Sequence, residues 1–476
     1  MRASRRVLPL GLAALALTAA GCGGGSVGKA GGQGVGHVTL TIARNSTEVP
    51  DLGEWIKAVG RLSHGTVAVR FREDWRPGDP DYERHTLADV RSGRVDIAEI
   101  GARVYDLEGV DAFRPPLAPF AVDSYALEQR VLESPVAADM LRAVARAGVV
   151  PLGLLPGAMR RPLGVGRRLV APGDYPGARI GIRPSRLERE TFRALGAIPV
   201  AYVPGESLGR LAGLEADVES AGEARTQEHV SSLTANVALW PRVMTLVMNR
   251  QAYDRLARSQ QRALAGAWRA SLGATLAYER QFERDALASF CIRGIPVLAA
   301  TPAQLEQLRN AVAPVTEQVA TDPATRDAAA GILALRRSTP PEQPLTCAGV
   351  DPLALAGPAP AGATPEGVWR KSLAFAELRA GGAADTDELN VENTGTFTLS
   401  LRHGRFHLDV RGPEPFTDDG RYTVGGDRLV VVSTSGDVFV FRWSRYRDTL
   451  TLAQATTSWV PKPLTVKAWR RLGSGA

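Results

Sequence analysis

The chain has 476 residues, with 57 Lys and Arg against 50 Asp and Glu, a net charge of +7 and 44% hydrophobic residues. That length holds two or three domains of ordinary globular composition. The charge falls to +4 without Arg2, Arg5 and Arg6, and no basic stripe interleaved with aromatics occurs, which excludes a nucleic-acid partner.

The N-terminus opens with Arg2, Arg5 and Arg6, followed by an apolar run over residues 7–20. The run is shorter than the about 20 residues that cross a bilayer, and no second run of 18 apolar residues follows it. Small residues Ala19, Ala20 and Gly21 then lead into Cys22. A basic start, an apolar core and small residues form an export signal, read here as residues 1–21. A cysteine directly after the small residues resembles a bacterial lipobox, which implies cleavage before Cys22 and lipidation of its thiol and new amine. Ala19 stands where a lipobox more often has leucine, so plain secretion stays open as the alternative. Residues 22–36 are glycine-rich and read as a flexible tether with a reach of about 20 Å.

A folded body is expected from residue 37 to 337. Residues 38–44 alternate as a strand. Leu52, Trp55, Ile56 and Val59 have helical spacing over residues 52–62. Strands follow at 66–71 and 95–100, with a short helix at 85–92 between them. Further strands are expected at 149–155, 178–182, 198–203 and 243–249, with helices at 187–195 and 207–214. A long helical stretch runs over 251–287, broken near Gly273, and another over 301–335. Strands alternating with helices specify an α/β fold with a largely parallel sheet.

Seven prolines then crowd residues 338–365, a stiff linker. Short alternating strands at 396–401, 406–410, 429–432, 438–443 and 449–452 predict a small all-β barrel or sandwich over residues 366–476. Trp369, Trp443, Trp459 and Trp469 give it the means for a separate core. After Cys22 only Cys291 and Cys347 remain, and two cysteines in an exported domain favour a disulfide over two separate buried thiols.

Several segments, in order, resemble the solute receptors of TRAP transporters, the dicarboxylate-receptor type. They are Ser92-Gly93-Arg94-Val95-Asp96-Ile97-Ala98, the FRPPLAPF of residues 113–120, residues 176–184 around Arg179-Ile180-Gly181, Leu195-Gly196-Ala197-Ile198-Pro199-Val200, residues 206–219 and residues 246–256. The resemblance covers about residues 37–335. It implies a two-lobed, periplasmic-binding-protein-like fold that clamps a small organic acid in a cleft, an arginine gripping the carboxylate through two donors. The family's binding arginine falls on Gly181, whose missing side chain would enlarge the pocket. Arg179 and Arg183 flank it at strand spacing and stand as its replacements. A second family arginine maps to Arg160 or Arg161, one facing the cleft and the other exposed. Trp240 lies where the chain recrosses between lobes, and Trp75 and Tyr105 follow strands at the edge where ligands bind. Gly367-Val368-Trp369 resembles the lipocalin G-x-W, implying a lipocalin-like barrel that either holds an apolar ligand or serves as a docking module.

No G-x-S-x-G elbow, H-E-x-x-H or P-loop is present, and Asp418-Asp419 reads as a turn. Of six histidines, four are scattered and His403 and His407 lie four apart on an expected strand pair, two ligands that make no metal site without a third. The expectation is therefore a non-enzymatic receptor without cofactor or metal, anchored outside the cytoplasm through Cys22, delivering an organic acid to a permease. The alternative is a sensory or interaction lipoprotein whose partner is a protein bound through the β domain.

Overall fold

The computed structural model describes residues 36–44, 52–72, 75–202, 208–218, 230–292, 295–348, 364–380, 393–454 and 462–472. Cys22, the signal at 1–21, the tether apart from Gly36, most of the linker and Trp459 lie outside the described residues. Everything below belongs to the unit His37–Ala476.

Among the described residues, twelve strands and ten helices build the two lobes. The strands are β1 Val38–Ala43, β2 Val67–Arg72, β3 Ile97–Gly101, β4 Val150–Leu155, β5 Met159–Gly164, β6 Arg179–Ile182, β7 Ile198–Ala201, β8 Gly213–Ala216, β9 Ser232–Thr234, β10 Trp240–Pro241, β11 Met244–Met248 and β12 Val297–Leu298. The helices are α1 Gly53–Leu62, α2 Tyr82–Ser92, α3 Arg114–Leu117, α4 Tyr125–Glu133, α5 Pro135–Val144, α6 Arg186–Ala194, α7 Arg250–Asp254, α8 Arg258–Ile292, α9 Pro302–Thr321 and α10 Arg326–Arg337.

Lobe 1 is the sheet β2-β1-β3-β11-β4, and lobe 2 the sheet β12-β9-β5-β8-β6-β7 with β10 paired to β5. Within lobe 1, β1 runs parallel to β2 and β3, whereas β11 is antiparallel to β3 and β4. The alternating pattern of β1 buries Leu40 and Ile42, and α1 turns Trp55, Ala58 and Val59 inward from the spacing seen in the sequence.

Two crossings and a long helix join the lobes ahead of the linker. The chain leaves lobe 1 between β4 and β5 and returns between β10 and β11. The two crossings are bonded to each other, Leu239 N–H to the Arg160 carbonyl and Arg242 N–H to the Ala158 carbonyl, both 2.9 Å. Gly157 is required there, because a β-carbon would strike the Arg242 carbonyl oxygen. The third joint is α8, 35 residues long and unbroken at the expected Gly273. Its Trp268, Leu272 and Leu276 pack in the lobe 1 core, and its Leu287 and Phe290 in the lobe 2 core. Gly153 on β4 leaves the space into which Trp268 fits.

A helix was expected over 207–214; of its described residues, 208–212 is irregular and 213 opens β8. Leu208, Leu211 and Leu214 do all reach the lobe 2 core, so the spacing was real but a turn and a strand produced it.

The start of the linker is bound down on the receptor. Arg336 bonds Asp123 at 2.6 Å, Arg130 bonds the Thr339 hydroxyl at 2.6 Å, and Glu342 accepts from Tyr125 N–H at 3.0 Å and from Arg280 at 3.1 Å. Leu345 packs in lobe 2, and Cys347 is disulfide-bonded to Cys291 at the end of α8, as expected. This strap therefore runs from lobe 1 to lobe 2.

Beyond it, β13 Gly367–Leu373, β14 Gly395–Arg402, β15 Arg405–Arg411, β16 Phe416–Gly425, β17 Arg428–Ser433, β18 Val438–Tyr446, β19 Thr449–Gln454 and β20 Trp469–Arg471 close into an eight-stranded barrel, with helices α11 Phe375–Ala380 and α12 Lys462–Thr465. Every pair is antiparallel. Asp418 and Asp419 lie within β16, not in a turn. Trp369 is fully buried, donates to the Pro365 carbonyl at 2.8 Å and lies under Arg445 and Arg471. Leu429, Val431, Phe439 and Phe441 face the interior. Val430, Val432 and Val440, between them and facing outward, are also buried. β18 runs against α8, so the barrel is seated on the receptor by this face.

Candidate functional site

Charged side chains converge on the seam between the lobes. Lobe 1 supplies Tyr82 and Glu83 from α2, and Arg103 and Asp106 from the 3₁₀ turn Ala102–Asp106 that follows β3. Lobe 2 supplies Arg183 just past β6, Ser185 and Glu188 at the start of α6, and Glu215 and Asp217 on and after β8. The crossings add Arg160, Trp240 and Arg242. All of these but Arg242 are among the buried residues, a costly location for charge unless each is paired.

Arg160 occupies the centre. Its Nε donates to Glu215 Oε1 at 2.6 Å, Nη2 to Glu215 Oε2 at 3.1 Å, and Nη1 to Asp217 Oδ2 at 2.6 Å. The indole of Trp240 donates to the same Glu215 Oε1 at 3.0 Å, and its ring meets Phe192 edge-on at 6.2 Å. Glu215 and Asp217 are two apart, so the extended chain turns both to one side. The carboxylate-gripping fork of Arg160 is thus held by two of the chain's own carboxylates. One of Arg160 and Arg161 was expected to be exposed, but Arg161 is buried as well, bonded to the Ala235 carbonyl at 3.0 Å and paired with Glu283 of α8.

A third carboxylate closes the seam from the other side. Asp106 Oδ2 accepts from the Ser185 hydroxyl at 2.8 Å, Arg186 N–H at 2.7 Å and Leu187 N–H at 2.9 Å. Lobe 1 therefore puts an anion on the N-terminus of α6 in lobe 2, where unpaired N–H groups favour negative charge. Ser185 caps the same helix by accepting Glu188 N–H. Arg114 to Glu190 at 3.0 Å is a further pair across the lobes. Within lobe 1, Arg103 pairs with Glu83, which also accepts Gly101 N–H at 2.8 Å.

Glu188 faces this cluster with Oε2 lacking a hydrogen-bond partner. Burial, reinforced by nearby Glu215, pushes its carboxyl well above the usual range. Asp106 is raised too, by burial that outweighs its three donors.

The remaining sequence candidates are placed as follows. Arg183 is buried, with its guanidinium 5.5 Å from the centre of the Tyr82 ring and Nη2 3.3 Å from the Tyr82 hydroxyl. Arg179 is exposed at the start of β6 and donates to the Arg210 carbonyl at 3.1 Å. Tyr105 is fully buried, stacked on Phe113 at 5.2 Å and bonded to the Thr245 hydroxyl at 2.8 Å. Trp75 donates to Asp89 at 3.0 Å beneath Arg72. Gly181 does not enlarge a pocket: a β-carbon there would lie 2.6 Å from Leu214 and 2.9 Å from Leu211, inside the lobe 2 core. The structure brings Arg160 and Trp240 together on Glu215, sets Arg183 against Tyr82 of the other lobe, and leaves Arg179, Tyr105 and Trp75 elsewhere. Sequence reasoning missed Asp106, Glu188 and Glu215; the Ser185-x-x-Glu188 capping pattern was the readable signal for one of them. Among the described residues, no group of three or more His, Cys, Asp or Glu could hold a metal ion, and no helix is long and apolar enough to cross a membrane.

Comparison with known proteins agrees with this architecture. The profile of bacterial extracellular solute-binding protein, family 7 (DctP), matches residues 37–322, ending ahead of the barrel. A TRAP periplasmic solute binding protein from Ochrobactrum anthropi is 21% identical over 63% of this chain and 96% of its own, with a TM-score of 0.56. The sugar acid binding protein of Advenella mimigardefordensis, solved with galactonate, is 18% identical over 64% and 99%, with a TM-score of 0.56. A TRAP solute binding protein from Shewanella oneidensis, solved with succinate, is 16% identical over 63% and 99%, again at 0.56. At these identities the likeness is one of fold. Among curated proteins there is no match.

Proposed function

Since the chain belongs to bacterial extracellular solute-binding protein family 7, we propose that it is an extracytoplasmic receptor, held to the membrane by lipid on Cys22. It captures a small organic acid between its lobes and delivers it to a membrane permease. Residues 1–21 are then removed on export, 22–36 form the tether, 37–337 the receptor, 338–365 the linker and 366–476 the barrel. The observation that carries this reading is that Arg160 and Arg183 are both buried, Arg183 against Tyr82 of the other lobe, where an acid held between the lobes would be desolvated and gripped. Relatives solved with galactonate and succinate support the ligand class. Arg183 is the primary candidate to meet the carboxylate, with Arg160 and Trp240 behind it. Arg179, Tyr105 and Trp75 act from farther away.

One observation favours a second reading. Glu215, Asp217 and Asp106 already occupy the fork of Arg160 and the N-terminus of α6. A receptor whose anion sites are filled from within suits a sensory or interaction lipoprotein, with the barrel as its contact to a partner protein. Thermal unfolding against succinate, galactonate and glucuronate separates the two. A bound acid at a hundred times its Kd adds about 2.7 kcal/mol, and Arg183→Met abolishes the gain if the site is assigned correctly. No shift with any acid removes the transport reading.

A further inference from the structure

The outer wall of the barrel carries three arginines in one row. Arg402 at the end of β14 lies directly opposite Arg405 of β15, and Arg405 lies directly opposite Arg421 of β16. Partners in register share a face. All three point outward, because Leu401, Phe406 and Tyr422 beside them point into the core, and all three are exposed. Like charges placed directly opposite one another oppose strand pairing. Among the described residues none of the three is in an ion pair, and the acids of this wall are engaged elsewhere, Asp419 with His407 at 2.7 Å and Asp409 with Arg411 at 2.9 Å.

The row lies at the barrel end where the chain enters at Gly367 and where the 402–405 and 446–449 turns are found. The second turn presents Tyr446, 73% exposed, with Arg447 over its ring at 5.3 Å. Arg447 is exposed too. The acid nearest the first turn, Glu366, is occupied by His403 N–H at 3.1 Å and the Tyr422 hydroxyl at 3.0 Å. Arg421 lies directly opposite Val432 and Tyr446 ends β18, so the rim adjoins the β17–β18 wall that seats the barrel on α8, while Arg402, Arg405, Arg421, Tyr446 and Arg447 all stay exposed.

We infer that this rim, Arg402, Arg405 and Arg421 on one side with Tyr446 and Arg447 on the other, docks the barrel end-on against an anionic phospholipid surface. Charge complementarity favours an anionic partner, and the makeup of the rim favours a bilayer over a protein. A protein interface needs an apolar centre that loses its water, whereas the row is flanked by Ser400, His407 and Asp419. Arginines and one projecting aromatic are the side chains that settle among lipid headgroups.

The test uses the full chain carrying Cys22→Ser, so that no acyl chain holds it to a membrane. Cosedimentation is measured with phosphatidylcholine vesicles, with and without phosphatidylglycerol. The expected result is binding only when phosphatidylglycerol is present, weakened on the order of a hundredfold in the triple variant Arg402→Gln, Arg405→Gln, Arg421→Gln. The corresponding triple Lys variant retains binding, and about 0.5 M salt abolishes it. Equal binding of wild type and the Gln variant overturns the proposal. So does retention of the wild type on immobilised polyglutamate without binding to either vesicle, which would assign the row to an acidic protein.

Discussion

Glu215→Ala tests whether the seam is organised around Arg160. Glu215 supplies two of the three carboxylate contacts to that guanidinium and the acceptor for Trp240 Nε1. Arg160 is 8% exposed, so water cannot replace the lost anion cheaply. Breaking a buried ion pair from one side costs about 3–5 kcal/mol. Asp217 remains, which places the loss near 3 kcal/mol, and the orphaned indole N–H adds about 1 kcal/mol. A total near 4 kcal/mol, at a urea dependence of about 3 kcal/mol per molar, lowers the unfolding midpoint by more than about 1 M. Removing all three charges together, Arg160→Met with Glu215→Leu and Asp217→Asn, recovers much of that loss. The same variant reports on function: with Glu215 gone, the fork of Arg160 opens to an outside carboxylate, and succinate stabilises Glu215→Ala more than wild type. A midpoint within the range of an ordinary surface substitution, with no gain in succinate binding, refutes the reasoning.

Glu188→Gln raises the melting temperature at neutral pH. The folded carboxyl sits well above its ordinary 4.5, so the folded state binds the proton more tightly. Wild-type stability from this group is full below about pH 4.5 and is lost as pH rises through the folded value, and the glutamine variant flattens that slope in pH-dependent calorimetry. Lys371, buried in the barrel beside the Trp469 ring, is pushed by burial from the ordinary 10.5 to about 7. Its folded amine binds a proton less tightly than the unfolded one, so barrel stability climbs between about pH 7 and 10.5, and Lys371→Met removes the climb. Cys291→Ser with Cys347→Ser opens a loop of 56 residues and costs about 4 kcal/mol in urea unfolding, as does reduction of the wild type.

The two-lobed body and the barrel were legible because their patterns are local. Strands such as β14 and β18 alternate between interior and surface, and α1 repeats at helical spacing. β16 escaped notice because Phe416–Gly425 is mostly polar or exposed, and only pairing with β15 and β17 makes it a strand. Residues 208–214 misled for the opposite reason: three leucines at helical spacing reach one core through a turn and a strand. In the seam, Arg160, Arg183 and Trp240 were found through family resemblance, but the carboxylates that engage Arg160 were not. Glu215 and Asp217 come to one side only once β8 is known to be extended. Asp106 serves a helix some 80 residues away in the chain, a contact that no local pattern encodes.

The disulfide between Cys291 and Cys347 also sets how the molecule bears tension. A protein tethered at its N-terminus and gripped at its barrel is pulled along its covalent path. That path reaches Cys291 at the end of α8 and crosses the sulfur bridge directly to Cys347. Helices α9 and α10 lie on the bypassed branch and carry none of the load. Reduction would put that branch in series, lengthening the fully stretched chain by roughly 190 Å at about 3.4 Å per residue. The bridge works as a fixed stop, so a pull between the start of the receptor and the barrel does not draw out α9 and α10.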